Sequence, residues 1–206
     1  MTDKIRIFGD SISGNCYKQK LACAELGIDY DWVETSVLDG STHTPEFLAM
    51  NANGKVPVMQ LPDGRCLSES NAILCWLADG SSLLGGDRYE RANVLRWLFF
   101  EQYSHEPCIA TSRFIVRYLG SPPERQADLD AKRPGGYRAL GVMEEQLEDD
   151  DWIANSRFSV ADIALYAYTH VAGEGGFDLG DYPSVRQWIA RIEAREDFVP
   201  MYSDGH

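Results

Sequence analysis

The run Ser11-Ile12-Ser13-Gly14-Asn15-Cys16 gathers hydroxyls, a carboxamide and a thiol around a glycine, the make-up of a strand-to-helix turn. A hydroxyl there stands beside the positive end of a helix dipole, where an anion such as a thiolate is stabilised. Ser13 also has a plainer use as a helix N-cap, and Ser11 and Tyr17 offer rival hydroxyls. Farther along, Lys55-Val56-Pro57 sets a proline in a strand-like run. Its missing N–H places it at a sheet edge or in a cis turn, and leaves the Val56 backbone able to pair with an extended peptide ligand. Glu69-Ser70 opens a helical pattern, where N–H groups and a hydroxyl can grip a carboxylate while Glu69 accepts from an ammonium. That combination suits the α-amino acid end of a ligand, although a cap with a first-turn acid explains the same pair. His43, with Lys55, can meet a second carboxylate.

These residues need elements to hold them. KIRIF alternates as a strand, and Tyr17, Leu21 and Ala24 recur at helical spacing before a stop at Gly27. A strand fits residues 30–34, and Thr44-Pro45 reads as an N-cap with proline at the first position of a short helix through Met50. KVPVMQL and Cys66-Leu67 flank Pro62-Asp63-Gly64 as a hairpin, and a helix over 69–78 closes the unit. The order βαβαββα describes a thioredoxin-like α/β domain over residues 1–80. Strand patterns then stop at Asp79-Gly80-Ser81-Ser82 and Gly85-Gly86, and an all-helical domain is expected over 87–206. Asp87 and Glu90 form a capping-box pattern ahead of a long helix with a bend at Pro107. Further helices fit 137–147, 159–171 and 182–195, with Pro134-Gly135-Gly136 breaking the first of these from what precedes it.

Composition narrows the function classes. At 206 residues the chain can bury its core without disulfides or metals, and no apolar run approaches the roughly 18 residues of a membrane span. Five cysteines without a Cys-x-x-Cys pair suit a reducing, cytoplasmic compartment, and the N-terminus lacks a signal-peptide pattern. A formal charge of −13 without a basic run argues against nucleic acid or an anionic membrane as partner. GDSIS lacks the closing glycine of a nucleophile elbow, which argues against a serine hydrolase.

In order and spacing, the serine turn, NANGKVPVMQL and LSESNAILCWLA resemble the glutathione transferase superfamily. FSVADIALYAYTHVA extends the resemblance into the second domain, with Ser159 and Asp162 as a capping box and Phe158 and Ile163 at staple positions. The resemblance implies that Ser13 activates the thiol of glutathione, a co-substrate, with Asn15 near the sulfur. It further implies that Val56, ahead of Pro57, pairs with the cysteinyl backbone, that Glu69 and Ser70 hold the γ-glutamyl end, and that His43 and Lys55 approach the glycine carboxylate. His43 stands where similar bacterial sequences often carry Arg. A small hydrophobic electrophile is expected between the domains, with Tyr103, Phe114, Tyr118 and Tyr166 as candidate walls, and a homodimer without metal is implied. Glutathione-dependent disulfide or peroxide reduction, and a non-catalytic binding or assembly module, are the competing readings.

Overall fold

The computed structural model describes residues 4–202. It divides into two compact units, one holding residues up to Asp79 together with the segment from Asp197, the other Gly80–Glu196. The division falls between Asp79 and Gly80. The C-terminal segment differs from expectation: it returns to the first unit, where Met201 is buried and the Tyr17 hydroxyl donates to the Val199 carbonyl at 2.6 Å.

In the first unit, β1 (Ile5–Gly9), α1 (Gly14–Leu26), β2 (Tyr30–Glu34), α2 (Pro45–Met50), β3 (Val58–Gln60), β4 (Cys66–Ser68) and α3 (Ser70–Leu77) follow the expected βαβαββα order. The sheet runs β2-β1-β3-β4, with β1 parallel to β2 and antiparallel to β3. The fold is the thioredoxin-like α/β arrangement. Local chemistry fixes its corners. Gly27 ends α1 in the left-handed region at φ 62°, and the Thr44 side chain caps α2 by accepting from the Phe47 N–H. β3 is shorter than the run KVPVMQL suggests and lies inside the sheet, so Pro57 sits ahead of the ladder and not on an edge strand. Ile7, Val58, Met59, Ile73 and Leu74 are all fully buried in this unit's core.

The second unit is helical: α4 (Arg88–Phe100), α5 (Glu106–Arg113), α6 (Gln126–Asp149), α7 (Val160–Thr169) and α8 (Pro183–Glu193). The bend expected at Pro107 appears as a π-helical turn over Glu101–His105, the usual accommodation where a proline ring crowds the preceding turn. Asp87 caps α4 by accepting from the Glu90 N–H at 2.8 Å, but Glu90 returns to the Gly86 N–H instead of completing the box on Asp87.

The expected break at Pro134-Gly135-Gly136 is overturned, because α6 runs unbroken through it. The glycines serve packing. A Cβ on Gly135 would lie 2.7 Å from Cys108 Sγ, and one on Gly136 2.3 Å from Phe177 Cε1. Without Cβ atoms there, α6 closes on α5 and its Leu140 joins Ile109, Tyr168 and Phe177 in one core cluster.

Candidate functional site

β1 ends at Gly9, where a Cβ would meet Trp32 Cη2 at 2.6 Å and Cys16 Sγ at 3.1 Å. The chain then turns tightly. The buried Asp10 carboxylate accepts from the Ile12 N–H at 3.1 Å and the Val37 N–H at 3.3 Å, and Glu34 accepts from the Ser11 N–H at 2.9 Å. These bonds deliver Ser13 to the N-cap of α1 in extended conformation, φ −78° and ψ 125°. Its carbonyl accepts from the Cys16 and Tyr17 N–H groups, yet its hydroxyl makes no capping hydrogen bond.

Burial pushes the Cys16 thiol up to about 12, while hydrogen bonds from the Ser13 side chain and the Asp10 backbone pull it down; the Asp10 charge adds to the rise and Lys20 opposes it. Cys16 is therefore a packed, inert thiol. Tyr17 is removed as a rival, since its ring is buried and its hydroxyl is committed to Val199.

A second cluster joins the starts of α1 and α3. Glu69 precedes α3 at φ 70°, a left-handed conformation that costs a non-glycine residue about 1–3 kcal/mol, and its exposed carboxylate makes no capping bond. The buried Ser70 hydroxyl donates to Asn15 Oδ1 and accepts from Lys18 Nζ, both at 3.1 Å. Lys18 also donates to Asn71 Oδ1 at 3.2 Å, and Gln19 Nε2 donates to the Ser70 carbonyl at 3.1 Å. The structure thus brings Asn15 to Ser70, two residues the resemblance assigns to different parts of a ligand. Lys18, Gln19 and Asn71 escaped the sequence reading. Asn15, Lys18 and Gln19 fall at i, i+3 and i+4, a polar stripe that reads as a solvent face, whereas Lys18 and Gln19 are wholly buried.

A third group forms a rim. Asn51 Nδ2 donates to the Lys55 carbonyl at 2.7 Å, and Asn51 Oδ1 accepts from the Asn53 N–H at 3.1 Å. His43 is exposed, pairs with Thr42 Oγ1 through Nδ1 at 2.9 Å, and turns Nε2 towards Gly54, 3.2 Å from where a Cβ would stand. The His43 ring therefore lies over Gly54, next in the chain to the exposed Lys55. Val56-Pro57 follows with a cis peptide, the second of the two placements expected for that proline, and ladder pairing starts only at Val58.

The aromatic candidates belong to the second unit and differ among themselves. Tyr166 is a core residue and not a wall: it is 0% exposed, stacks on His170 with ring centroids 4.4 Å apart, and donates to Glu193 Oε1 at 3.0 Å. Phe114 and Tyr118 pair at 5.1 Å along the π-helical turn Phe114–Tyr118, partly exposed. Tyr103 is 87% exposed. Among the described residues no group of three or more His, Cys, Asp or Glu side chains could hold a metal ion, and no helix is long and apolar enough to cross a membrane.

Known proteins share this architecture. Residues 12–79 match the family model described as Glutathione S-transferase, N-terminal domain, and residues 107–196 that described as Glutathione S-transferase, C-terminal domain. The crystal structure of a glutathione S-transferase from Pseudomonas fluorescens is 51% identical, covers 97% of this chain and 99% of its own, and superposes with a TM-score of 0.95. A glutathione transferase family member from the same species, with two glutathione bound, is 26% identical over 95% of this chain and 90% of its own, with a TM-score of 0.83. The disulfide-bond oxidoreductase YfcG of Escherichia coli is 29% identical, over 88% of this chain and 86% of its own length.

Proposed function

Since the chain belongs to the glutathione S-transferase family, we propose that it binds glutathione at the α1 and α3 N-termini and catalyses attack of the glutathione thiolate on a small hydrophobic electrophile. The observation that carries this reading is the Ser13 hydroxyl, set at the positive end of a thirteen-residue helix and not consumed by capping. A free thiol near pKa 8.5 is mostly protonated at neutral pH, and lowering it by about two units takes roughly 2.7 kcal/mol of preferential anion stabilisation. A hydroxyl hydrogen bond with a helix N-terminus supplies that order.

In this reading Val56 pairs with the cysteinyl backbone, Glu69 accepts from the γ-glutamyl ammonium, Ser70 and the α3 N–H groups take its carboxylate, and His43 and Lys55 face the glycine carboxylate. Asn15 acts through Ser70. Phe114 and Tyr118 are the electrophile contacts; Tyr166 is not. The sulfur lone pair forms the new C–S bond, the electrophile's leaving group departs with its electrons, and the thiol proton goes to solvent. The protein contributes orientation and electrostatics without a covalent intermediate. A cytoplasmic, homodimeric enzyme of detoxification is the setting this chemistry suits.

The similarity to YfcG favours a second reading, in which bound glutathione thiolate attacks a disulfide or a peroxide. Two measurements decide. Glutathione at a hundredfold excess over its Kd stabilises the folded state by about 2.7 kcal/mol, which raises Tm by several degrees. A flat melting profile at millimolar glutathione sinks both readings and leaves a non-catalytic module. Turnover of carbon electrophiles but not of disulfides or peroxides then selects conjugation.

A further inference from the structure

Towards the end of α1 remote from Ser13, the first unit holds a pocket of about 410 Å³. α1 supplies one wall through Lys20 and Ala24, at i and i+4; Ile28 and Tyr30 supply the second, and Val199 and Pro200 of the returning C-terminal segment the third. Lys20 stands about 10 Å along the helix axis from Ser13, and the rest of the pocket lies farther off, so it is distinct from the Ser13 and Ser70 clusters. We propose that this pocket binds a small aromatic carboxylate: Lys20 and the Tyr30 hydroxyl hold the carboxylate, while Ala24, Ile28, Val199 and Pro200 enclose the ring.

Charge gives the reason. Lys20 is half-buried with its ammonium 4.1 Å from the centre of the Trp32 ring, and among the described residues no carboxylate stands within ion-pair distance of it. Burial lowers its pKa against the pull of Glu34, Cys16 and Asp10, so the ammonium is short of solvation. A ligand carboxylate would replace the lost water with a charge-assisted hydrogen bond. Tyr30 is half-buried too, and its hydroxyl has no hydrogen-bond partner among the described residues. Burial raises the pKa of that hydroxyl, with Cys23 adding to the rise, which keeps it protonated as a second donor to the same carboxylate. Two features that would repel an anion are answered within the fold. The exposed Asp29 on the rim pairs with Lys4 at 3.2 Å, and at the negative end of α1 the Gly27 and Ile28 N–H groups donate to the Ala24 and Cys23 carbonyls. A bare inorganic anion would leave the apolar walls wet, whereas a rigid ring covers them with few rotations to freeze.

The test is calorimetric titration with 2-naphthoate and with 2-naphthamide, which keeps the rings and lacks the charge. Wild type should bind one equivalent of naphthoate with a Kd of about 1 mM or tighter, the affinity that a modest ligand efficiency gives a probe of this size. Millimolar glutathione should leave that Kd unchanged, and the amide should bind at least about tenfold more weakly. Lys20→Met should weaken naphthoate about 10- to 100-fold and Tyr30→Phe about 3- to 10-fold, while Ala24→Phe, which fills the pocket, should abolish binding. Naphthoate that does not bind, that binds no better than the amide, or that glutathione displaces overturns the site. Binding that neither Lys20→Met nor Ala24→Phe alters overturns it too and moves the probe to the electrophile contacts. Circular dichroism checks the fold of each variant; Lys20→Gln, with the same expected loss, replaces Lys20→Met if the latter does not fold. Failure of Lys20→Met, Lys20→Gln and Ala24→Phe alike to fold assigns both side chains to the core and overturns the inference. None of these outcomes bears on the glutathione reading, which the melting profile tests separately.

Discussion

Ser13 and Cys16 stand one turn apart at the start of α1 and face the same chemistry from opposite sides. A thioredoxin-like redox protein would carry its attacking cysteine at the helix N-terminus, where Ser13 stands, and serine forms no mixed disulfide. Cys16 is 0% exposed and pushed up to about 12 by burial, so it neither reaches a substrate nor ionises near neutral pH. Ser13→Ala should therefore cut the glutathione-dependent kcat/KM by about 10- to 1000-fold, the loss that follows removal of an anion-stabilising donor. Cys16→Ser should leave the rate nearly unchanged. The opposite pattern in steady-state kinetics would make the protein a cysteine-dependent oxidoreductase. The backbone at Ser13, Val56-Pro57 and Glu69-Ser70 was legible because these residues occupy turns and helix starts, where residue type constrains geometry directly. The network around Lys18 was not legible, since its partners lie 52 and 53 residues away and no local pattern reports a contact across two helices. Nor did the aromatics yield to sequence: spacing alone could not separate the buried Tyr166 from the exposed Tyr103.

Among the elements, α7 shows how one helix can be held by opposed titrations. At its start the Ser159–Asp162 capping box forms as the sequence pattern indicates, and the buried Asp162 carboxylate also accepts from the Ile153 N–H and Trp188 Nε1, both at 2.9 Å. Burial pushes Asp162 up to about 6 while those donors hold it down. At its end, burial pushes His170 down to about 4, against the pull of the Tyr166 carbonyl. An acid raised in the folded state loses stability as pH rises from its ordinary value to about 6. A histidine lowered in the folded state gains stability as pH rises from about 4 to its ordinary 6.5. The two trends oppose each other between about pH 4 and 6, so His170→Gln should gain stability relative to wild type as pH falls through that window. Denaturant titrations at pH 4.5 and 7 measure it, and a difference independent of pH would show that His170 does not titrate there. The strands and the α7 capping box were legible because each rests on short-range periodicity or spacing. The α6 glycines misled because a helix breaker and a close-packing glycine share one letter; only Phe177 and Cys108, brought up by the tertiary fold, tell them apart.

At the scale of the whole molecule, charge and exposed apolar surface pull in different directions. A chain at −13 repels its own copies, and that repulsion weakens as salt shortens the screening length. Against it stands an aromatic face on α4 and the π-helical turn after it. Tyr89, Arg96 and Tyr103 recur every seven residues, with Phe99 beside them, and Tyr89, Phe99 and Tyr103 are 77%, 71% and 87% exposed. An aromatic side chain buries about 150–250 Å², so three of them account for more than half of the roughly 800 Å² that each partner contributes to a stable interface. The proposed homodimer would cover this face, and an isolated chain would leave it in water. Sedimentation at micromolar concentration should then give a dimer that tightens as salt rises from about 0.02 M to 0.15 M. Phe99→Glu combined with Tyr103→Glu should give a monomer, because each carboxylate would be desolvated against a copy of itself. Tm in dilute solution should change little, since both side chains project from the fold and contribute little to its core. A wild type that stays monomeric, or a double variant that remains dimeric, would move the interface off this face.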